Sequence, residues 1–281
     1  MANTKTTSDI LVTTEWAEGN LDKDGFRFVE VDVDTSSYQE GHLPGAIGWN
    51  WKNELQDVLT RNVASVDAVE KLLGESGISK DTTIVLYGDN NNWFAAWAYW
   101  LLQYYGHHHL KILDGGRKKW VAEGRKLSTE EPKPKTEEYS IGEIREELRA
   151  FRDDVAQTIS NDHAFGLVDV RSPDEFTGKI IAPPGMKELS QRGGHIPGAQ
   201  NIPWASTVNE DGTFKSKDEL TKIYADRGIT SDKSIIAYCR IGERSAHSWF
   251  VLKELLNFEN VRNYDGSWTE WGNLINAPIE R

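Results

Sequence analysis

Short apolar runs alternate with helical stretches along this chain. Four runs rich in β-branched residues predict strands: FVEVDV (28–33), TIVLY (83–87), GLVDV (166–170) and SIIAY (234–238). Helical spacing of apolar residues follows two of them, at 93–105 and 243–256. Short buried strands separated by helices are typical of a parallel sheet that is covered by helices on both faces. The pattern therefore predicts an α/β fold.

The predicted helix 93–105 differs from an ordinary surface helix. Its apolar side chains, which include Trp93, Trp97 and Trp100, go nearly all the way round the helix axis. A helix without a polar face is expected to be buried on every side.

The two halves of the chain repeat one another. Residues 77–120 align with 228–271 without a gap (offset 228 − 77 = 151) and share 10 identities in 44 positions. Two shorter motifs recur in the same order: GHLPGA (41–46) as GHIPGA (194–199), and VDVD (31–34) as VDVR (168–171). A period near 150 residues is too long for a solenoid, so the repeat indicates a duplicated domain.

A polar, charged segment separates the halves. Residues 128–140 read STEEPKPKTEEYS and contain two prolines, a composition that suits a surface tether of limited flexibility. We therefore predict an N-terminal domain at 1–127, a linker at 128–140 and a C-terminal domain at 141–281.

The second half carries an insertion between its two short motifs. The motif offsets differ by 16 residues (153 − 137 = 16), and the extra residues lie within 172–193. Two interpretations stay open: a flap over a pocket, and a surface loop.

Composition and charge exclude several classes of protein. The 281 residues include 32 basic and 44 acidic side chains, for a formal net charge of −12, which argues against general nucleic-acid binding. No apolar run approaches the roughly 18 residues of a membrane span, and the first residues lack the basic-then-apolar pattern of a secretory signal. A single cysteine excludes an intrachain disulfide and a cysteine-rich zinc site. We expect a cytoplasmic protein without membrane or nucleic-acid partners.

The single cysteine, Cys239, directly follows the predicted strand 234–238. Ligands of open α/β sheets bind at the carboxyl ends of the strands. The loop CRIGERS (239–245) then leads into a helix, so that backbone N–H groups and the helix amino terminus can converge on an anion. Arg240 and Arg244 add two positive charges.

These surroundings predict a reactive thiol. Donors and positive charge should lower the pKa of Cys239 well below the free-cysteine value of about 8.5, giving a nucleophile that needs no histidine base. Glu243 opposes this effect, but we expect its side chain to turn to solvent. The aligned loop of the first half (88–93) has neither cysteine nor arginine, so packing of the scaffold does not require the thiol.

The loop CRIGERS after a strand, the two GH[LI]PGA motifs and the terminal YDGSWTEW together resemble a tandem rhodanese, a thiosulfate sulfurtransferase. The resemblance covers roughly residues 8 to 278. It implies two rhodanese-like domains, each an open parallel sheet with helices on both faces. It also implies that only the second domain is catalytic and that the first is a degenerate copy.

The resemblance further implies a double displacement without cofactor or metal. The Cys239 thiolate attacks the outer sulfur of thiosulfate, sulfite leaves, and cyanide or an external thiol then removes the sulfur from the persulfide. The C-x4-R spacing is that of sulfur-transferring members, whereas related phosphatases have C-x5-R. The implied binding residues for the anionic donor are those of the loop: Arg240, Ile241, Gly242, Glu243 and Arg244.

Three further residues are candidates for supporting the loop: Asp169, Arg171 and Ser267. For Asp169 and Arg171 the alternative is an ordinary ion pair at the end of a strand. The resemblance also places Glu175 where some animal relatives carry a substrate-contacting arginine.

The histidines are interpreted as structural. His42 and His195 occupy equivalent places in the two GH[LI]PGA motifs, although only one half has the cysteine, so we expect each to hold a turn through a polar partner. Adjacent histidines do not share a face, so the run His107-His108-His109 predicts a surface turn and no metal site.

Two other functions stay open. One is 3-mercaptopyruvate sulfurtransferase, although relatives that prefer this donor carry a less charged loop such as CGSGVT. The other is a non-catalytic persulfide carrier, which the intact C-R-x-G-x-R loop disfavours. The physiological donor and acceptor, the pathway and the oligomeric state do not follow from the sequence.

Replacing Arg240 should separate the two donors. Arg240→Ala removes a charge-assisted contact worth about 1.5–3 kcal/mol. We expect kcat/KM to fall more for the thiosulfate dianion than for mercaptopyruvate, measured by steady-state kinetics on both donors. Equal losses would show that Arg240 does not set donor preference.

Overall fold

The structure is a computed structural model that describes residues 7–159, 164–185 and 189–281. It divides into two compact units. The first contains the residues up to Arg145 together with Glu210–Phe214, and the second contains Glu146–Asn209 and Lys215–Arg281. Among the described residues no helix has the length and apolar character needed to cross a membrane.

The first unit contains a sheet of five parallel strands in the order β1-β5-β4-β2-β3. The strands are β1 (Leu11–Val12), β2 (Phe26–Asp32), β3 (Ile47–Asn50), β4 (Thr83–Tyr87) and β5 (Leu110–Leu113). The helices are α1 (Thr7–Ile10), α2 (Thr14–Glu18), α3 (Ser36–Glu40), α4 (Trp51–Glu54), α5 (Val66–Glu75), α6 (Trp93–Tyr104) and α7 (Gly116–Ala122).

The second unit contains a sheet of four parallel strands in the order β7-β6-β8-β9. The strands are β6 (Phe165–Asp169), β7 (Gln200–Asn201), β8 (Ser234–Tyr238) and β9 (Val261–Tyr264). The helices are α8 (Arg152–Ile159), α9 (Pro173–Phe176), α10 (Lys217–Ala225), α11 (Glu243–Phe250) and α12 (Ser267–Trp271), and a π-helical segment (Val251–Leu255) continues α11. The predicted α/β class, with two parallel-sheet units, is confirmed.

Helix α6 confirms the expectation of complete burial. Every residue from Phe94 to Tyr104 is buried. The aromatic rings contact one another along the helix, with the Trp97 and Trp100 ring centroids 5.5 Å apart in an edge-to-face arrangement.

The strand register positions the candidate loop. In the second unit, Val168 and Asp169 of β6 pair with Ala237 and Tyr238 of β8. The carboxyl ends of these two strands are therefore level, and the chain that leaves β8 at Cys239 lies beside the end of β6.

The two equivalent histidines hold turns in the same way. The ring of His42 contacts the Tyr38 carbonyl (2.9 Å) and stacks on the Tyr38 ring. The ring of His195 contacts the Phe176 carbonyl (3.0 Å) and stacks on the Phe176 ring. In each turn the ring packs on the same residue whose carbonyl it contacts, which is the structural use predicted for both.

The two units carry different side chains near the carboxyl end of one strand. In the second unit Arg171 binds Asp169, with Nε 3.0 Å from Oδ1. Glu30 pairs with Tyr87 as Asp169 pairs with Tyr238, so the sheet register shifts the alignment of VDVD with VDVR by two residues and gives Asp32 the position of Arg171. Burial raises the pKa of Asp32 to about 8, and the carboxylate of Asp89 acts in the same direction.

Asp32 should therefore make stability depend on pH. Its pKa in the folded protein lies above the unfolded value of about 3.9, so the folded state is most stabilised below pH ~4 and loses this contribution as pH rises toward 8. Asp32→Asn keeps an acceptor for the Asp89 N–H and cannot ionise. We expect it to raise the free energy of unfolding by about 1–3 kcal/mol at pH ~8, with little effect near pH 4.

Urea unfolding at a series of pH values measures this difference. The exposed neighbour Asp34 provides the control. Asp34→Asn also removes one negative charge, but from a side chain that is already in contact with solvent. Parallel pH curves for wild type and Asp32→Asn would contradict the assignment.

Candidate active site

Cys239 lies at the start of the turn between β8 and α11 and is fully buried. The backbone N–H of Gly242 donates a hydrogen bond to its Sγ atom (3.1 Å). The helix α11 begins at the next residue, Glu243. An amide donor and a helix amino terminus thus meet at the sulfur, as the loop sequence predicts.

Gly242 is required by the shape of this turn. Its φ of +99° lies in the left-handed region, which side chains other than glycine rarely adopt. A Cβ atom there would lie 2.8 Å from the Cα atom of Asp265. The glycine lets the backbone pass close to Asp265 and turn its N–H toward the sulfur.

The segment after β9 holds the backbone of the loop. The Cys239 N–H donates to Ser267 Oγ (3.1 Å), and this hydroxyl donates to the Tyr264 carbonyl (2.7 Å). The N–H groups of Trp268 and Thr269 donate to the carbonyls of Cys239 and Arg240, respectively. Ser267, predicted only as a supporting residue, is in direct contact with the candidate nucleophile's backbone.

Arg244 is clamped by a carboxylate. Its Nη1 and Nη2 atoms lie 3.0 and 3.1 Å from the two carboxylate oxygens of Glu175, which is fully buried in α9. Burial alone would raise the pKa of Glu175, but hydrogen bonds from Arg244 bring it below its ordinary value. Glu175 thus orients an arginine of the loop.

Glu243 corrects one prediction. The side chain does not turn to solvent: it is 2% exposed, and Oε2 accepts a hydrogen bond from the Cys239 thiol at 3.3 Å. Its other oxygen lies 3.8 Å from Nε of Arg244, which compensates part of its charge. Burial is therefore possible because the thiol and an arginine both contact the carboxylate.

The expected low pKa of the thiol is also wrong for this state of the protein. Burial raises the pKa of Cys239 above its ordinary value, and the charge of Glu243 raises it further. Arg244 and the N–H groups of Ser245 and Gly242 act in the opposite direction but do not prevail. The donors predicted from the sequence are present, but loss of solvent around the sulfur and the inward-pointing Glu243 carboxylate outweigh them.

The other predicted residues lie in or beneath the loop. Arg240 and Ile241 are buried, at 3% and 7% exposure. Arg171 binds Asp169 and donates to the Gly194 carbonyl (2.8 Å), and its guanidinium lies 4.6 Å from the Trp268 ring. The ion pair at the end of β6 therefore joins the GHIPGA turn to the α12 segment, and these contacts favour the structural interpretation.

Sequence reasoning missed a polar network under the turn. Ser245 Oγ lies 2.6 Å from Asn263 Oδ1, and Asn263 Nδ2 donates to the Gly242 carbonyl (3.3 Å). Asp265 is bound by Nε and Nη2 of Arg149, both at 3.0 Å. One signal was available for Asn263: this fully buried position of β9 is apolar (Ile112) in the first half.

Both described ends of the segment 172–193, which contains the insertion, are anchored. Its first residues form α9, which supplies Glu175, and Ser172 caps that helix. Near its end, the guanidinium of Arg192 donates to four carbonyls of the C-terminal segment: Trp271, Gly272, Leu274 and Ala277. Residues 186–188 lie outside the described residues, and a flap stays a prediction.

The equivalent loop of the first unit has a different backbone conformation and different charges. Asn90, Asn91 and Asn92 all have positive φ values, and Asn92 bridges the Gly88 N–H (3.0 Å) and the Leu113 carbonyl (2.8 Å). A cavity of about 470 Å³ at this loop is lined by residues that include three carboxylates and one lysine: Asp32, Asp34, Asp89 and Lys118. A lining of this kind disfavours an anionic donor.

The predicted surface turn of histidines is partly wrong. His107 is buried, and its ring nitrogens contact the Tyr139 hydroxyl (2.8 Å) and the Thr82 carbonyl (3.0 Å). The ring loses its contacts with water on burial, and these two partners replace them. Within the described ranges, no three His, Cys, Asp or Glu side chains are grouped so that they could hold a metal ion.

Comparison with known proteins identifies the family. The model of the rhodanese-like domain matches residues 13–123 and 151–274. The chain belongs to the rhodanese family, as the sequence motifs indicated.

Its relatives are similar over nearly their whole length. A protein of Haloferax volcanii named "Putative thiosulfate sulfurtransferase" is 55% identical and aligns over 100% of this chain and 99% of its own. A protein of the same name from Mycolicibacterium smegmatis is 56% identical over 97% and 98%. The sulfur carrier protein TtuD of Thermus thermophilus is 49% identical over 97% of both chains.

Solved structures with the same fold include ergothioneine enzymes. The anaerobic ergothioneine biosynthesis enzyme from Chlorobium limicola, in complex with trimethyl histidine, superposes with a TM-score of 0.84 at 27% identity, over 98% of this chain and 70% of its own. A variant of EanB that carries a cysteine persulfide has a TM-score of 0.84 at 27% identity, over 98% and 71%.

The titration of the thiol tests the geometry of the site. Because Cys239 is the only cysteine, the ultraviolet absorbance of thiolate, taken as the difference between wild type and Cys239→Ser at each pH, reports on this group alone. We expect a midpoint above the ordinary cysteine value, since burial and Glu243 raise the pKa. A midpoint below neutrality would mean that the donors of the loop outweigh both effects in the free protein.

Proposed function

We propose that this protein is a thiosulfate sulfurtransferase that carries the transferred sulfur as a persulfide on Cys239. The observation that supports it most directly is the position of the sole thiol. Its Sγ atom accepts the Gly242 N–H at the amino terminus of α11, and the charge of Arg244 acts on it. Relatives that are more than 50% identical carry the name of this activity.

The first half-reaction loads the sulfur. The Cys239 thiolate attacks the outer sulfur of thiosulfate, the S–S bond of the donor breaks, and its electron pair leaves with sulfite. The outer sulfur keeps its negative charge as the terminal atom of the persulfide. In this proposal the N–H groups of the loop and the charges of Arg240 and Arg244 stabilise this anion and the leaving sulfite.

The second half-reaction needs an acceptor from outside the chain. Cys239 is the only cysteine, so no internal thiol can take the sulfur from the persulfide. Cyanide or the thiol of another molecule attacks the terminal sulfur, and the Cys239 thiolate leaves. In this proposal the first unit is not catalytic, because Gly88 stands where the second unit has Cys239.

Two alternatives have specific support. The similarity to a sulfur carrier protein favours a role in which the persulfide is handed to a partner rather than turned over on a small acceptor. Mercaptopyruvate as donor would use the same thiol. Steady-state rates with thiosulfate and with mercaptopyruvate, each with cyanide and with a small thiol as acceptor, separate the three functions.

Whole-protein mass before and after incubation with thiosulfate alone tests the proposal. We expect wild type to gain the mass of one sulfur atom and to lose it when cyanide is added. Cys239→Ser should fold, gain no sulfur and show no turnover above the rate without enzyme, because the replacing hydroxyl is a far weaker nucleophile. Residual turnover in this variant would refute the role of Cys239.

Arg149→Lys is a matched control for the loss of site geometry. It lies under the turn, on Asp265, and it leaves the thiol in place. Sulfur should still be added to Cys239 in this variant, although more slowly. If Arg149→Lys gained no sulfur, the position of the loop would be as essential for sulfur transfer as the thiol itself.

A further inference from the structure

Glu243 has a contact that binding of an anionic donor does not explain. Its carboxylate is 2% exposed, and Oε2 lies 3.3 Å from the Cys239 Sγ atom, in the direction of a thiol hydrogen bond. A carboxylate here repels a dianion such as thiosulfate. A residue that only bound the donor would be better neutral or positive.

Glu243 differs from the other buried carboxylates around the loop in its contact with arginine. Three other buried carboxylates lie around the loop, and each is bound by an arginine through two nitrogen atoms: Glu175 by Arg244, Asp265 by Arg149, and Asp169 by Arg171. Glu243 approaches Arg244 only to 3.8 Å, and that arginine already binds Glu175. The hydrogen on Sγ is the closer partner of Glu243.

We propose that Glu243 is the proton acceptor for Cys239, so that the thiol and the carboxylate share one proton that moves to Oε2 when the sulfur attacks the donor. This inference rests on the sulfur-transfer function proposed above. Because Glu243 touches the reacting atom, it would be a catalytic residue rather than a part of the donor-binding loop alone.

The step balances in protons and charge. The reactants are a neutral thiol, the Glu243 carboxylate and the thiosulfate dianion, with a total charge of about −3 by simple addition. The Sγ–H bond breaks and its proton binds Oε2, while the Sγ electron pair forms the bond to the outer sulfur. The products are a neutral carboxylic acid, a persulfide anion and the sulfite dianion, with the same total charge.

Internal transfer of the proton explains how a buried thiol with a raised pKa can react near neutrality. As Sγ forms its new bond it ceases to be basic, and the proton moves to a group already in contact. The carboxyl group becomes neutral while the negative charge of persulfide and sulfite develops beside it. Glu243 can then return the proton to sulfite or to the terminal sulfur of the persulfide.

The proposal fixes the shape of the pH profile. In this proposal the reactive state is the one in which the thiol and the carboxylate share a single proton. Loading of sulfur should therefore be nearly independent of pH over the range below the thiolate midpoint. Ionisation of the thiol alone would instead make the rate rise about tenfold per pH unit below its midpoint.

The test compares two measurements on the same protein. Persulfide formation is followed in a single turnover with thiosulfate, stopped with acid and read by whole-protein mass. The equilibrium thiolate fraction comes from the ultraviolet difference against Cys239→Ser. In wild type, we expect the rate to change less than about twofold over the two pH units below the thiolate midpoint.

Glu243→Gln keeps the size of the side chain and removes the acceptor. We expect its thiolate midpoint to fall, because a like charge is lost, and its rate of persulfide formation to follow its own thiolate fraction. Glu243→Asp should restore a pH-independent region if the shorter carboxylate still reaches the sulfur. Glu219→Gln is the matched control, since this exposed glutamate lies in the capping box of α10 and Gln also suits that motif.

The outcomes separate this inference from the proposed function. If the wild-type rate of persulfide formation rises tenfold per pH unit up to the thiolate midpoint, Glu243 only perturbs the thiol. This result would overturn the proposal. The wild-type comparison decides this even if Glu243→Gln does not fold. Absence of added sulfur in wild type at every pH would instead refute the sulfurtransferase function itself.

Discussion

The ion pair between Glu175 and Arg244 is the interaction on which the site depends. It joins α9 to the beginning of α11 through two hydrogen bonds in a buried environment. Two charges removed from water are costly unless they meet in good geometry, and breaking such a pair leaves one charge uncompensated. The pair therefore fixes the position of the turn and also keeps a positive charge near the sulfur.

The same pair limits how reactive the resting thiol can be. Arg244 lowers the pKa of Cys239, but two carboxylates lie near its guanidinium: Glu175 on the terminal nitrogens and Glu243 near Nε. Burial of the thiol then decides the direction of the shift. In an exposed loop, the same hydrogen-bond donors and arginines would favour a thiolate. Here the sulfur is buried and contacts a carboxylate, so the thiol stays protonated.

The duplicated units differ by a few charges near the candidate loop and its counterpart in the first unit. Glu30 and Asp169 occupy equivalent positions in the two sheets, and Asp32 stands in the first unit where the second has Arg171, which binds Asp169. Where the second unit has Trp268 stacked on Arg171, the first has Arg117 bound to Glu30. Both sheets keep the same register, in which Tyr87 pairs with Glu30 and Tyr238 pairs with Asp169.

The sequence by itself determined the α/β class, the duplication and the loop that carries the thiol. Runs such as SIIAY (234–238) and TIVLY (83–87) match β8 and β4 residue for residue, because a short apolar run between polar turns has one way to be buried. The helix predicted at 93–105 ends one residue earlier, at Tyr104. The position of Cys239 after a strand followed directly from this pattern.

Only the tertiary structure decided the electrostatics of the site. The local sequence places Glu243 at the start of a helix, where its side chain can point to solvent or to the interior. The contact with Sγ shows that it points to the interior. Glu175 lies 69 residues from Arg244, and Asn263 lies 18 residues from Ser245, so neither contact is visible in a local pattern. The pKa of a buried group depends on all the charges and dipoles that folding brings around it, and that set is defined only when distant segments pack together.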